Sequence, residues 1–260
     1  MVVFKEINCV NISCWVSSEK FAEGKRSLIF IHGSGGDHRI WTKQYTKLQH
    51  EFNVAVIDLP GHGQSGGDGE QEVSSYVEWV RQILDAWAVK KPVLIGHSLG
   101  AAISLVFAIH HGALLSGIVA VGGGARMPVN EMILKGLKTD PAPVIALAAK
   151  FAVSKKNRER LLQTVIEGLS RANPGVLYGD LIACDRLDIT DQISQIGIPT
   201  LIICGTDDKM TPPALSQHLQ NNIPGAQVSL IENAGHMAML ENAKAFNKSL
   251  IKFLRSLPLV

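Results

Sequence analysis

No block of basic residues, no CxxC pair and no long apolar run occurs in this chain, and each absence removes a class of function. Lys and Arg number 25 against 23 Asp and Glu, a formal net charge of +2. A near-neutral chain with scattered cations lacks the electrostatic footprint of a nucleic-acid binder, so nucleic acid is not expected as a partner. The four cysteines, Cys9, Cys14, Cys184 and Cys204, fit no zinc-site spacing, and no histidines cluster near them. They are expected to be free buried thiols in a reducing compartment. No apolar stretch reaches the roughly 18 residues that a membrane-spanning helix needs. The first residues carry Lys5 and Glu6 where a signal peptide would have a basic segment and then an apolar one. The expectation is no membrane span, no signal peptide and a cytoplasmic location.

What is present suffices for a sizeable core, since 46% of the 260 residues are hydrophobic. Short apolar runs alternate with segments of helical spacing. Val2–Ile7 and Val10–Val16 are β-prone and adjacent, as a hairpin would be. Ser27–Ile31 and Asn53–Ile57 are continuous apolar runs, as expected of strands buried on both faces of a parallel sheet. Ile40–Leu48 has helical spacing. Val73, Tyr76, Val77, Val80, Ile83, Leu84 and Trp87 share one face of a helix over Val73–Val89, with Ser74 or Ser75 as a cap. Pro92–Ile95 and Leu115–Val121 read as strands, with a small-residue helix at Leu99–His110 between them. From Ala125 to about Gln195 no buried-strand run appears, and Pro128, Pro141, Pro143 and Pro174 break a helical stretch. The alternation then resumes, with strand Ile198–Cys204, helix Pro212–Gln220, strand Ala226–Ile231 and helix Asn242–Leu254. This order predicts an α/β fold, a mostly parallel twisted sheet with helices on both faces. The core domain spans residues 1–124 and 196–260, and residues 125–195 form a helical lid.

The chemistry concentrates at the predicted strand ends. Gly96-His97-Ser98-Leu99-Gly100 fits G-x-S-x-G between a strand and a helix, the context that lifts a serine hydroxyl out of a strained turn. The glycines remove Cβ atoms that would clash there, and the helix N-terminus favours developing negative charge. A serine needs a base, and His236 lies between the last strand and the last helix. His50 and His218 read as surface residues, and His110 and His111 as cations at a helix end. The acid should follow another strand, in the chain order Ser, Asp, His, and Gly205-Thr206-Asp207-Asp208 does so. Of the two neighbours Asp208 is favoured, with Asp207 left to the turn. The oxyanion of an acyl intermediate needs two N–H donors. Leu99 supplies one. Ser34, in His32-Gly33-Ser34-Gly35-Gly36, supplies the other, and His32 is expected to brace that loop through its backbone. The loop is neither G-x-G-x-x-G nor followed by a Walker lysine, so it is not expected to hold a nucleotide. Asp58-Leu59-Pro60-Gly61-His62-Gly63-Gln64-Ser65 reads as scaffold.

Taken together, four elements in order, His32–Gly36, Asp58–Ser65, Gly96–Gly100 and the late pair of Gly205–Asp208 with Gly235-His236, resemble the α/β-hydrolase fold family over nearly the whole chain outside the lid. In that family the acid usually stands three residues after a glycine such as Gly205, which supports Asp208. Members with an aspartate nucleophile are dehalogenases or epoxide hydrolases, and Ser98 argues against both. The chain is similar to small bacterial carboxylesterases, enol-lactonases and carbon–carbon bond hydrolases, which share the triad and differ in the lid. The resemblance implies ester hydrolysis through an acyl-enzyme on Ser98 with Asp208 and His236, no cofactor and no metal, and a small-molecule ester or related acyl substrate. Carbon–carbon or enol-lactone hydrolysis by the same triad, acyl transfer to another acceptor, and a binding protein with little turnover are the alternatives. Met127, Met132, Ile133, Leu137 and Met237 are candidate pocket residues, with Phe151, Leu177 and Leu181 as further lid positions.

Overall fold

The computed structural model describes residues 1–258, which build a single eight-stranded sheet flanked by helices. The strands are β1 (Val2–Ile7), β2 (Val10–Val16), β3 (Ser27–Ile31), β4 (Asn53–Ile57), β5 (Val93–His97), β6 (Gly117–Val121), β7 (Thr200–Gly205) and β8 (Gln227–Ile231). Their order in the sheet is β1-β2-β4-β3-β5-β6-β7-β8. The first two pairings, β1 with β2 and β2 with β4, are antiparallel, and all others are parallel. The β1–β2 hairpin turns at Asn8 and Cys9, both at positive φ (50° and 62°). Positive φ at both central residues is the demand of a type I′ turn, whose twist matches that of the strands.

The helices are α1 (Thr42–Leu48), α2 (Val73–Ala86), α3 (Leu99–His111), α4 (Glu131–Thr139), α5 (Pro141–Ala152), α6 (Arg158–Leu169), α7 (Pro174–Arg186), α8 (Pro213–Asn222), α9 (Ala238–Glu241) and α10 (Ala243–Ser256). Side chains alternate across the strands and feed two cores. Ile29, Ile31, Ala55 and Ile57 join α2, α3 and α8 on one face. Leu28, Phe30, Val54 and Val56 join α10 and Trp41 on the other. The central strands are apolar throughout because each face of the sheet is covered. Between β6 and β7 the chain runs through α4, α5, α6 and α7, which share a small core of Leu137, Ile145 and Leu177. The two ends of this helical segment meet where Arg126 bridges Asp188 and the Ile189 N–H donates to Ala125 O at 3.1 Å.

Several expectations are corrected. Helix α2 starts at Val73 with Glu72 in the capping position and no side-chain cap, so Ser74 and Ser75 lie inside its first turn. Strands β5 and β7 begin after Pro92 and Pro199, because proline has no N–H to give a ladder. The last helix is split, with Asn242 capping α10 through the Ala245 N–H. Cys9 is exposed in the hairpin turn, so only Cys14, Cys184 and Cys204 are buried thiols. Among the described residues no helix is long and apolar enough to cross a membrane.

Candidate active site

Loops at the carboxyl ends of β5, β7 and β8 carry Ser98, Asp208 and His236. Ser98 follows β5 directly at φ 55° and ψ −113°, a conformation that non-glycine residues rarely adopt. Its surroundings enforce it. The Ser98 N–H donates to Val121 O of β6 at 2.8 Å. A Cβ on Gly96 would stand 1.9 Å from Gly100 O, and one on Gly100 2.5 Å from Ile31 O. Neither position admits a side chain, which lets α3 start immediately after the turn. Leu99 is the first residue of that helix, so its N–H has no acceptor within the helix.

The two aspartates after β7 differ in burial. Asp207 is exposed, while the Asp208 side chain is fully buried. Asp208 Oδ1 accepts the N–H groups of Met210 and Thr211, both at 2.9 Å. Asp208 Oδ2 accepts Thr211 Oγ1–H at 2.8 Å and His236 Nδ1–H at 2.9 Å. Burial alone would raise this carboxyl, but His236 and the Thr211 donors outweigh it and hold it below the usual carboxylate range. The Nδ1–H bond also fixes the His236 tautomer, leaving the lone pair on Nε2. Gly122, at φ 56°, makes room for the pair, since a Cβ there would lie 3.1 Å from the His236 ring. Gly205 does the same for the His236 loop, with a Cβ only 2.2 Å from Ala234 O. Ser98 and His236 line one cavity of about 820 Å3. Among the described residues no hydrogen bond joins their side chains. Such bonds are often loose before substrate binds.

The loop after β3 lies beside Ser98, so close that a Cβ on Gly33 would stand 2.9 Å from the Ser98 Cβ. Gly36 N–H closes a turn on Gly33 O at 3.0 Å, and Gly35 N–H is taken by Asp180 of α7 at 2.9 Å. Among the described residues Ser34 N–H has no protein acceptor, and Ser34 lines the cavity. His32 Nδ1–H donates to Gly33 O at 2.8 Å, as a brace would, but Nε2 also accepts the Leu59 N–H at 3.0 Å and so ties in a second loop. Asp58 is buried scaffold, accepting the Ser13 hydroxyl and the His38 N–H. Every expected pocket residue lines the cavity. Met127, Leu137 and Met237 are buried, whereas Met132 is 78% exposed and stands at the rim.

Three contributors were not anticipated. His97 donates Nε2–H to the His236 carbonyl at 3.0 Å. Thr211 binds both members of the Asp208–His236 pair. Glu241 accepts the Gly235 N–H at 2.8 Å and the Ser154 N–H at 2.9 Å, joining the His236 loop to the end of α5. Asp208 bonding N–H groups two and three residues ahead was a legible loop signal. The other two depend on distant chain segments meeting.

Two buried histidines give a pH prediction. Burial pushes His97 down to about 3 and His32 down to about 4. Both are neutral when folded and would titrate near their ordinary value of ~6.5 when unfolded. The unfolded chain therefore binds more protons as pH falls below ~6.5, and stability drops until the folded values are reached. His62, whose value is raised, acts mainly above this window. Between about pH 6 and about pH 5, urea unfolding should show a loss of roughly 2 kcal/mol, about one proton per ring. A flat profile would contradict the neutral rings.

A family model described as "Alpha/beta hydrolase family" matches residues 28–249. The chain is 25% identical, over 87% of its own length and 93% of the other's, to a "Pimeloyl-[acyl-carrier protein] methyl ester esterase" of Vibrio atlanticus (strain LGP32). Among solved structures it is similar to one titled "Structure of a thermophilic esterase", with 31% identity, TM-score 0.84, and coverage of 98% of this chain and 97% of that one. It also shares its fold with the enol-lactonase from Burkholderia xenovorans LB400, at 20% identity, TM-score 0.90, and coverage of 98% and 100%.

Proposed function

The chain belongs to the alpha/beta hydrolase family and is a hydrolase acting on ester bonds, and on that premise we propose that it cleaves carboxylic esters of small to medium size through an acyl-enzyme on Ser98. The observation that carries this reading is the buried Asp208–His236 pair, which shares a cavity with a serine held in a strained turn at a helix N-terminus. His236 Nε2 takes the proton of Ser98 Oγ as the oxygen attacks the ester carbonyl. The carbonyl electron pair moves to its oxygen, which the N–H groups of Ser34 and Leu99 receive. Collapse expels the alcohol, protonated by His236. Water, deprotonated by His236, then attacks the acyl carbon, and the acid leaves with Ser98 restored.

The helical segment at residues 125–195 acts as the lid of this site in our reading. Its apolar side chains, Met127, Ile133 and Leu137 among them, line the cavity and give the acyl group a hydrophobic berth. A volume of about 820 Å3 is within the range of sites for drug-sized ligands. The shared fold with an enol-lactonase favours lactone opening as the second reading, since the same residues would serve it. A panel decides between them: p-nitrophenyl esters of increasing acyl length, an enol-lactone and a vinylogous diketone. Turnover of the acyl esters at a kcat/KM at least tenfold above the other two is expected. An enol-lactone or diketone turned over faster than every ester would overturn the proposal.

A further inference from the structure

Asp180 of α7 is a charged side chain with no solvent exposure, and the hydrolytic steps above do not use it. Three donors from three separate parts of the core converge on it. Gly35 N–H lies 2.9 Å from Oδ2, His62 Nε2 lies 2.8 Å from the same oxygen, and the Tyr76 hydroxyl donates to Oδ1 at 2.5 Å. The other His62 nitrogen, Nδ1, is 2.9 Å from Pro60 O. A carbonyl and a carboxylate only accept, so both ring nitrogens carry protons and His62 is a cation facing the Asp180 anion. Burial works against that charge, and Asp180 outweighs it, leaving His62 raised above its ordinary value.

A buried ion pair is a poor source of stability, because apolar side chains of similar volume usually hold two surfaces together as well or better. What an apolar contact would not do is fix a backbone N–H. Gly35 is one peptide beyond Ser34, at φ 63°, and α7 presses against it so closely that a Cβ there would lie 3.0 Å from Leu177. The bond from Gly35 N–H to Asp180 therefore sets the peptide plane that follows Ser34. An unpaired carboxylate this close to the cavity would repel a forming oxyanion, and the His62 charge cancels it.

We propose that Asp180, paired with His62, is a positioning residue of the hydrolysis: it holds Gly35 N–H and so aims Ser34 N–H at the oxygen of the tetrahedral intermediate. The inference rests on Ser34 and Leu99 being the oxyanion donors. It makes the helical segment a part of the catalytic geometry as well as a cover for the cavity. Weakening one oxyanion donor should cost somewhat less than the ~100-fold or more seen when a donor is removed.

The test is steady-state hydrolysis of a p-nitrophenyl ester by Asp180→Leu, which takes away the acceptor of Gly35 N–H, with active sites counted by fluorophosphonate titration. Alongside it, the affinity of a trifluoromethyl ketone is measured, because the ketone adds to Ser98 and places an oxyanion in the same position. The expected result is a kcat per titrated site lowered by roughly 10- to 100-fold. KM should stay within about twofold, and ketone affinity should fall in parallel with kcat. A purely structural role would lower the melting temperature and the titrated fraction and leave kcat per site unchanged, which would overturn the proposal, as would a rise in KM alone. If Asp180→Leu does not fold, His62→Gln keeps a donor to Asp180 and removes the countercharge. A folded His62→Gln with wild-type kcat and ketone affinity would also overturn it. Ser98→Ala is run beside these variants. Activity surviving in Ser98→Ala refutes the acyl-enzyme reading itself, whereas an inactive Ser98→Ala beside an unaffected Asp180→Leu refutes only the role of Asp180.

Discussion

Replacing Ser98 by alanine is expected to lower kcat for a short-chain p-nitrophenyl ester by about five to six powers of ten, with the fold intact. The size follows from what remains. The Ser34 and Leu99 N–H groups and the apolar cavity would still bind the ester, and in comparable sites they retain roughly 10³–10⁴ of rate over water while the nucleophilic route is lost. Stability should change by less than ~0.5 kcal/mol, because alanine keeps a Cβ at the same strained φ of 55° and the bond from the Ser98 N–H to Val121 O is untouched. Thermal melting and steady-state kinetics on the same preparation check both halves. An alanine variant that melts normally and retains more than about one per cent of wild-type turnover would exclude Ser98 as the nucleophile. Residual activity below that level would not distinguish slow oxyanion-assisted hydrolysis by water from traces of wild-type enzyme, so active-site titration with a fluorophosphonate belongs in the same experiment.

The parts legible in the sequence are those set by neighbours in the chain. The continuous apolar runs at Ser27–Ile31 and Asn53–Ile57 form adjacent parallel strands because both faces of the sheet are covered. Glycines at positions 96 and 100 mark the strained turn because no side chain fits there. Asp208 was preferred over Asp207 through the family resemblance, in which the acid stands three residues after a glycine such as Gly205, and the structure buries Asp208 and exposes Asp207. What stayed hidden depends on segments far apart in sequence. His97 supports His236 from 139 positions away, and Asp180 meets Gly35 across 145. No local pattern announces such a meeting. A carboxylate on the buried stripe of α7, beside Val176, Leu177, Ala183 and Cys184, was nevertheless a readable sign, since a buried charge needs partners somewhere. The caps at Ser74 and Ser75 failed for a different reason. Propensity offered serines, but the capping position falls on Glu72, two residues before Ser74 and three before Ser75, so neither stands where a cap must.

Asp208→Asn is expected to lower kcat by about 10⁴ with little change in KM, and the hydrogen bonds around the carboxylate show why an isosteric change should cost so much. Oδ1 accepts two loop N–H groups, from Met210 and Thr211, and both need an oxygen there. An asparagine must therefore keep its carbonyl oxygen on that side and turn its NH₂ towards His236. Facing a donor, Nδ1 of His236 has to accept, which moves the ring proton to Nε2 and removes the lone pair that would take the Ser98 proton. Loss of the base through the wrong tautomer predicts that raising the pH will not restore the rate, because the proton on Nε2 belongs to the neutral ring. The carboxylate itself, held below its ordinary range, contributes stability above its unfolded value of ~3.9 that disappears as pH falls through the lower folded value. The variant should therefore lose some of the acid-range slope in urea unfolding that wild type shows below about pH 4. Asp207→Asn is the control, exposed and outside the pair, and should keep wild-type kinetics. The reverse pattern, with Asp207→Asn inactive and Asp208→Asn near wild type, would move the acid to the neighbouring position and leave the His236 tautomer without the partner that now fixes it.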